Sequence, residues 1–236
     1  LIWMDVRAAE EAAFIASTKH PILKFNGYGN VSAEWMPCKA LWLKKHEPEN
    51  YNKAEKVCEC ADWITYKLTG RWTANLSNIA VRWYYDAPNG GFPVDFYEQI
   101  GLGDVLAKFP QEITHLGDNL GTLTPEAAEF RGLSPNTIVG QGGVDAYIGN
   151  FGLGVVKPGK VALITGSSHL IMGLTDQYTY SKNGIFGPFP DCIRKGYGVV
   201  EGGQTSSGSI VSWFKRNFCK DLEDQPGGAY GVLNRE

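Results

Sequence analysis

The hydrophobic pattern of this chain changes type at residues 152–159, a connection rich in glycine and proline. Before this connection apolar residues recur mostly at helical spacing, and after it short apolar runs bounded by turn residues indicate strands. The predicted helices cover 6–18, 33–45, 52–68, 94–100, 125–130, 144–151 and 206–218, and the predicted strands cover 137–139, 160–165, 169–174 and 196–200. The pattern predicts an α/β chain of two domains, 1–153 and 154–236.

The first seven residues, Leu1-Ile-Trp-Met-Asp5-Val-Arg7, begin apolar and soon become charged, without the basic leader of a signal peptide. They predict a buried strand already in progress, and Asp5 is expected to cap the helix that follows. A chain that opens on a strand, without a starting methionine, is expected to be an excised piece of something longer. Residues 86–93 predict a turn-rich surface loop.

Composition excludes several classes of partner. The 236 residues are 43% apolar and 20% charged, as in ordinary soluble globular proteins. A net charge of −3 gives no reason to expect nucleic acid or an anionic membrane as partner. Five scattered cysteines favour a reducing compartment such as the cytoplasm, and Cys58-Glu-Cys60 lacks the spacing of a thiolate metal site. No apolar run is long enough to span a bilayer.

Two glycine-flanked segments carry the chemistry. Asp145 follows the pair Gly142-Gly143 at the end of a predicted strand, and Gly166-Ser167-Ser168 follows about twenty positions later. A carboxylate can act as a base, and the N–H groups and hydroxyls of a Gly-Ser-Ser turn can cradle phosphate. Together they predict phosphoryl transfer to an alcohol. The alternatives are a carboxylate that only stabilises a helix N-terminus, and an ordinary hairpin turn.

Other segments are more ambiguous. Residues 201–208, which include Gly203 and Gln204, could present N–H groups to a second phosphate or simply cap a helix. Arg82 could bind a sugar hydroxyl or stack on a surface aromatic ring. The chain has no P-loop motif, no Ser/His/Asp arrangement and no H-E-x-x-H motif. A Rossmann-like oxidoreductase is disfavoured because no G-x-G-x-x-G follows a strand.

Taken together, these segments resemble the FGGY carbohydrate kinases, most closely the pentulose (ribulokinase-like) branch. The match runs in order through nearly the whole chain, up to about Cys219. Its residues are Trp3-Met-Asp5-Val-Arg7, Glu34-Trp-Met-Pro-Cys-Lys39-Ala-Leu-Trp42, Ala61-Asp-Trp-Ile-Thr-Tyr-Lys-Leu-Thr-Gly70, Gly140-Gln-Gly-Gly-Val-Asp145-Ala, Thr165-Gly-Ser-Ser168 and Glu201-Gly-Gly-Gln-Thr-Ser-Ser-Gly208.

The resemblance implies an actin-like, ribonuclease-H-like two-domain sugar kinase fold, present only in part. Residues 1–153 match the later part of the sugar-binding domain, and 154–236 match the start of the nucleotide-binding domain. The family's opening D-x-G-T/S phosphate hairpin and its adenosine site have no counterpart here. We therefore expect this polypeptide alone to bind ATP poorly.

The resemblance also assigns roles to residues. It implies Asp145 as general base, touching Mg²⁺ at most through water, and a substrate site at Trp3, Asp5, Glu34 and Arg82. The family often has lysine at the position of Arg82 and threonine at that of Ser167. The residues implied for the ATP phosphates are Gly166, Ser167, Ser168, Gly203 and Gln204.

The leading hypothesis is an ATP- and Mg²⁺-dependent kinase in the cytoplasm. Its partner is a small sugar or sugar alcohol, either a ketopentose such as ribulose or xylulose or a pentitol, and the resemblance allows a homodimer. The alternative is a non-catalytic sugar-binding or regulatory protein on the same fold. An Asp-x-Gly-Thr/Ser hairpin encoded upstream of Leu1 would favour the enzyme.

Overall fold

The computed structural model describes residues 1–166, 168–204 and 206–235. Its helices are α1 (Ala9–Ser17), α2 (Met36–His46), α3 (Pro48–Lys53), α4 (Cys60–Thr69), α5 (Leu76–Arg82), α6 (Val94–Gln99), α7 (Pro125–Arg131), α8 (Asp145–Gly152), α9 (Gly208–Phe218) and α10 (Gly228–Leu233). Short 3-10 helices cover Pro21–Asn26, Ala87–Asn89, Gly103–Lys108 and Lys220–Leu222. The strands are β1 (Ala74–Asn75), β2 (Ile113–Thr114), β3 (Asn119–Thr122), β4 (Ile138–Gly140), β5 (Val161–Thr165), β6 (His169–Thr175), β7 (Phe186–Pro190) and β8 (Gly198–Gln204).

The largest sheet follows the change of pattern predicted at residues 152–159. It is antiparallel, with strand order β5-β6-β8-β7, and β5 and β6 form a hairpin in which Thr165 pairs with His169. Two small sheets lie before it, a parallel pair of β1 with β2 and an antiparallel pair of β3 with β4. The helical first part and the strand-rich second part are therefore both observed.

Aromatic packing joins these two parts into one core. Trp35 at the start of α2 stacks on Tyr84, with ring centroids 5.1 Å apart, and also contacts Phe189 of β7 at 6.1 Å. Phe25 stacks on the same Phe189 at 5.8 Å. Tyr84, Phe25 and Phe189 are fully buried, and large aromatic side chains contribute most of the apolar area that such a core removes from water.

The predicted strand at residues 1–7 is wrong. Leu1, Ile2 and Met4 are more than half exposed, and the segment forms turns without strand pairing in the described part of the chain. A strand needs a neighbouring strand to satisfy its backbone groups. Here the carbonyls of Ile2 and Trp3 accept hydrogen bonds from the Lys39 ammonium instead.

Two helix boundaries also differ from the prediction. Asp5 does not cap the first helix, because α1 begins only at Ala9 and its N-cap makes no side-chain hydrogen bond. The helix predicted over 52–68 is interrupted between α3 and α4. There the Val57 N–H donates to the Lys108 carbonyl at 3.0 Å, and Lys108 Nζ donates to the Tyr51 carbonyl at 3.2 Å. These tertiary contacts outweigh the helical spacing, although α4 ends before Gly70 as expected.

Candidate active site

One cleft of about 740 Å³ brings together most of the residues singled out in the sequence. Its walls come from the N-terminal segment, α5, the start of α8, the β5–β6 hairpin and the end of β8. The predicted site residues that line it are Trp3, Glu34, Arg82, Asp145, Gly166, Ser168, Gly203 and Gln204. Asp5 does not line the cleft, and Ser167 lies outside the described residues.

Asp145 is the first residue of α8 and its side chain is exposed in the cleft. One carboxylate oxygen, Oδ1, accepts the N–H of Ala146 at 2.7 Å, as expected for an acidic residue in the first turn of a helix. Among the described residues no cation pairs with this carboxylate. Asp145 therefore stabilises the helix N-terminus and also leaves acceptor capacity facing the cleft.

Arg82, the last residue of α5, is held in place by two acceptors. Its Nε donates to Glu59 Oε1 at 3.3 Å, and a terminal nitrogen donates to the backbone carbonyl of Glu34 at 3.2 Å. Glu59 also accepts Trp83 Nε1 at 2.8 Å, which fixes the carboxylate against a buried ring. Glu59 lines the cleft as well, and sequence reasoning missed it because Cys58-Glu-Cys60 was examined only as a thiolate pattern.

Lys39 orients the N-terminal wall of the cleft. Only 2% of this lysine is exposed, and its ammonium donates to the carbonyls of Ile2 and Trp3. Burial lowers the pKa of Lys39, and the nearby charge of Arg82 lowers it further. Both carbonyl acceptors of this contact belong to residues that line the cleft, so Lys39 sets the position of Trp3 without entering the cleft itself.

Asp5 is turned to a neighbour on its own segment. Its carboxylate accepts hydrogen bonds from the backbone N–H and the guanidinium of Arg7, the shortest at 2.8 Å. These bonds lower the pKa of Asp5 to about 2. The Arg7 guanidinium in turn lies 4.2 Å from the centre of the Trp42 ring. Asp5 thus lies outside the cleft lining with its carboxylate paired to Arg7, and the substrate contact expected of it stays a prediction.

The turn predicted to cradle phosphate closes the β5–β6 hairpin. The Gly166 N–H donates to the Ser168 carbonyl at 2.9 Å, so this particular N–H is used inside the turn. Gly166 and Ser168 nevertheless line the cleft. The hairpin interpretation and the cleft-facing position are both observed, and the role in phosphate binding stays a prediction.

Gly203 and Gln204 belong to a strand. They pair with Leu170 and His169 of β6 at the end of β8, next to the hairpin turn. The helix expected after this segment is present as α9, which begins at Gly208, but residues 203 and 204 themselves form strand and not a helix cap. Strand pairing explains the difference, since small glycine residues tolerate the close approach of β6 at this edge.

The buried Tyr147 and the half-buried Glu201 form a pair that sequence reasoning did not single out. The Tyr147 hydroxyl, on α8, donates to Glu201 Oε2 on β8 at 2.7 Å. Burial raises the pKa of the Glu201 carboxyl, and the Tyr147 hydrogen bond opposes that rise. Both residues line the cleft, so the Glu201 carboxylate joins those of Asp145, Glu34 and Glu59 in its walls. Glu201 appears in the sequence only as the start of a glycine-rich run, which gives no sign of this partner.

No group of three or more His, Cys, Asp or Glu side chains with metal-ligand geometry occurs among the described residues. Mg²⁺ usually keeps several waters and binds one or two carboxylates together with substrate phosphates. A single exposed carboxylate such as Asp145 fits that mode of binding. Within the described part of the chain, no helix is both long and apolar enough to cross a bilayer.

Curated relatives match most of this chain. It is 32% identical over 208 residues to a ribulokinase of Anoxybacillus flavithermus, which covers 84% of this chain and 36% of the relative. It is 31% identical over 230 residues to the human FGGY carbohydrate kinase domain-containing protein, covering 89% of this chain and 41% of that protein. The chain thus spans about two fifths of the length of these relatives.

Solved structures and a family model agree with this similarity. A gluconate kinase from Lactobacillus acidophilus superposes with a TM-score of 0.83 at 18% identity, over 99% of this chain and 46% of that one. A xylulose kinase from Rhodospirillum rubrum gives 0.80 at 23% identity, over 97% and 45%. These likenesses confirm the predicted actin-like fold of sugar kinases. Residues 1–152 match the model of the N-terminal domain of the FGGY family of carbohydrate kinases, and the chain belongs to that family.

Proposed function

We propose that the protein to which this chain belongs transfers a phosphoryl group from ATP to a hydroxyl of a ketopentose or pentitol. The observation that carries the proposal is a single cleft lined by Asp145, Arg82, Glu201 and the β5–β6 turn. The chain's relatives include proteins named ribulokinase, and its structural neighbours include proteins titled xylulose kinase and gluconate kinase. These names support a sugar as the acceptor.

In this proposal Asp145 is the general base. A sugar hydroxyl must lose its proton as its oxygen attacks phosphorus, and an ionised carboxylate within hydrogen-bond reach can accept that proton. Asp145 is suited to this step because it is exposed in the cleft and has no cationic partner among the described residues. Its position at the start of α8 places the carboxylate beside the positive end of the helix dipole.

Arg82 and Glu201 orient the sugar in this proposal. Arg82 offers donors from a guanidinium already fixed by Glu59, so little side-chain freedom is lost when a hydroxyl binds. Glu201 offers an acceptor fixed by Tyr147. Holding the acceptor hydroxyl in the correct geometry is a large part of the catalysis expected for phosphoryl transfer.

The cleft end formed by Gly166, Ser168, Gly203 and Gln204 is the proposed position of the ATP phosphates. Backbone and hydroxyl donors suit phosphate oxygens. Mg²⁺, when bound there, would neutralise phosphate charge, with Asp145 reaching it through water. The role of this chain is to hold the sugar, take its proton and limit the access of water to the reacting groups.

The proposal is tested by Asp145→Asn in the full-length protein. We expect sugar affinity within about tenfold of the wild type and a kcat lower by about two orders of magnitude or more, because the base is lost while the shape is kept. Product formation from Mg-ATP with a panel of pentuloses and pentitols measures kcat, and calorimetry measures sugar binding. Near-normal turnover in the variant would remove Asp145 from the mechanism. Sugar binding without turnover in the wild type would favour a non-catalytic sugar-binding protein.

A further inference from the structure

Asn78 is a buried polar side chain that no motif in the sequence marks. It lies in α5, is only 7% exposed and lines the cleft. Its backbone N–H donates to Asn75 Oδ1 at 2.9 Å, so the local cap uses the main chain of Asn78 and not its side chain. The Oδ1 atom of Asn78 is buried and has no hydrogen-bond partner among the described residues.

An unpartnered buried carboxamide oxygen requires an explanation, because most buried polar atoms in folded proteins are hydrogen-bonded. Leaving such an atom without a partner costs free energy, since its bonds to water are lost on folding. Similar atoms occur elsewhere in the described chain, on Glu11, Asn26, Tyr51, Ser77, Tyr84 and Asn150. None of those six residues lines the cleft, whereas Asn78 does. Of these residues with an unpartnered buried atom, only Asn78 lines the cleft, so a ligand bound there is the candidate source of its missing donor.

The neighbour of Asn78 on the helix surface indicates which ligand this would be. Arg82 lies four residues later, so the two side chains share one face of α5 about one turn apart. Both residues line the cleft. The face thus offers a charged donor and a neutral carboxamide over a distance that the hydroxyls of a short polyol can span.

We propose that Asn78 is a specificity-determining residue that accepts a hydrogen bond from one hydroxyl of the bound sugar or polyol. This inference rests on the proposed function and names a contact within the same cleft. A site that hydrogen-bonds a hydroxyl discriminates strongly against analogues that lack it, because its own polar group is then left without a partner. Asn78 selects substrates by the presence of that hydroxyl, while Asp145 acts on the hydroxyl that is phosphorylated.

The test uses Asn78→Leu in the full-length protein, with the sugar that the wild type phosphorylates and the set of its monodeoxy analogues. Leucine has the same branched shape and the same number of side-chain heavy atoms, and the change removes no hydrogen bond within the described chain, so the thermal unfolding midpoint should not fall. We expect KM for the sugar to rise about tenfold or more. For one deoxy analogue the wild type and the variant should have the same KM, because the contacted hydroxyl is already missing.

Two further variants separate binding from folding. Asn78→Thr keeps an oxygen acceptor and should retain more sugar affinity than Asn78→Leu. Asn150→Leu is the matched control, since Asn150 is fully buried with an unpartnered Oδ1 but lies outside the cleft. This control should lower stability, because it loses the bond from Asn150 Nδ2 to the Ala146 carbonyl, and it should leave KM unchanged.

The outcomes distinguish this inference from the proposed function. A folded Asn78→Leu variant with wild-type KM for the sugar and every deoxy analogue would overturn the role of Asn78 and leave the kinase proposal intact. A wild-type protein that neither phosphorylates nor binds any sugar of the panel would overturn the proposed function, and the sugar contact of Asn78 with it.

Discussion

Asp62 is a buried carboxylate whose ionisation opposes folding. It is 1% exposed, and burial raises its pKa to about 6, although Asn75 donates its backbone N–H and its amide to Oδ1 at 3.0 and 2.7 Å. In the unfolded chain the pKa of this group returns to 3.8. The folded state therefore binds a proton more tightly than the unfolded state, and stability falls as pH rises from about 4 to above 6.

Asp62→Asn should remove this dependence. An asparagine oxygen can still accept both bonds from Asn75, but it carries no charge to bury. We expect the variant to gain stability over the wild type as pH rises, by on the order of 2 kcal/mol at neutral pH and by much less near pH 4. Urea unfolding at several pH values measures the difference. Two stability curves that stay parallel between about pH 4 and pH 7 would contradict the assignment to Asp62.

At the scale of single residues, the sequence predicted several of the side chains that line the cleft, but it did not predict the hydrogen-bond partners that fix them. Asp145 and Arg82 were identified from glycine-flanked and aromatic-flanked positions, and both line the cleft. Their partners were not identified, because Glu59 and Tyr147 are distant in sequence and their contacts depend on tertiary packing. Asn78 was missed for the same reason. The roles of all these residues stay predictions.

Among the structural elements, the start of α8 is fixed by one close approach. A Cβ added to Gly143 would lie 2.5 Å from Leu116 Cδ2 and 2.9 Å from Ser77 Cβ, so any larger residue fits only if these neighbours shift. Ser77 is itself almost fully buried in α5. Gly143 therefore holds α8, and with it Asp145, against the helix that carries Arg82.

Gly143→Ala should lower the free energy of unfolding by about 1–3 kcal/mol, since overpacking forces its neighbours apart. It should also lower kcat more than it raises KM, because the position of Asp145 shifts. Gly142→Ala is the matched control, as an added Cβ there meets nothing within 4 Å. Urea unfolding and steady-state kinetics of the full-length protein measure both effects. Equal stability of the two variants would show that the neighbours of Gly143 yield without cost.

Helices and strands were predicted correctly where the local sequence pattern determines them. They were missed where contacts with distant residues determine them. The β5–β6 hairpin and the short helices α6 and α7 lie close to their predicted positions. Strand β7 was missed because Pro188 and Pro190 argue against a strand. It exists because β7 is at the edge of its sheet, where a residue without an N–H is tolerated.

At the scale of the whole molecule, the Tyr147–Glu201 bond joins residues on either side of the predicted boundary between 153 and 154. The core crosses the same boundary, since Phe189 packs on Phe25 and Trp35. The division into 1–153 and 154–236 stays a prediction. The contacts show that the two parts are packed together in this structure.

Tyr147→Phe should destabilise the protein by about 1–3 kcal/mol, because it leaves the half-buried Glu201 carboxylate without its partner. It should also raise the pKa of Glu201 further, since the hydrogen bond that opposes the effect of burial is lost. Chemical unfolding at neutral pH measures the stability. Tyr84→Phe is the matched control, because the Tyr84 hydroxyl is buried without a partner among the described residues. A loss as large in the control would mean that the Tyr147 bond contributes nothing specific.

The reactivity of the Cys60 thiol can be used to measure whether the cleft is occupied. Of the five cysteines Cys60 alone is exposed, and it lines the cleft beside Glu59. Burial raises the pKa of Cys38 to about 12 and that of Cys58 to about 11, which keeps these thiols protonated and unreactive. Among these five, a thiol reagent should therefore modify Cys60 first, and a sugar bound in the cleft should slow that reaction. Peptide mapping with and without sugar measures the rate, so occupancy of the cleft becomes visible even in a protein that catalyses nothing.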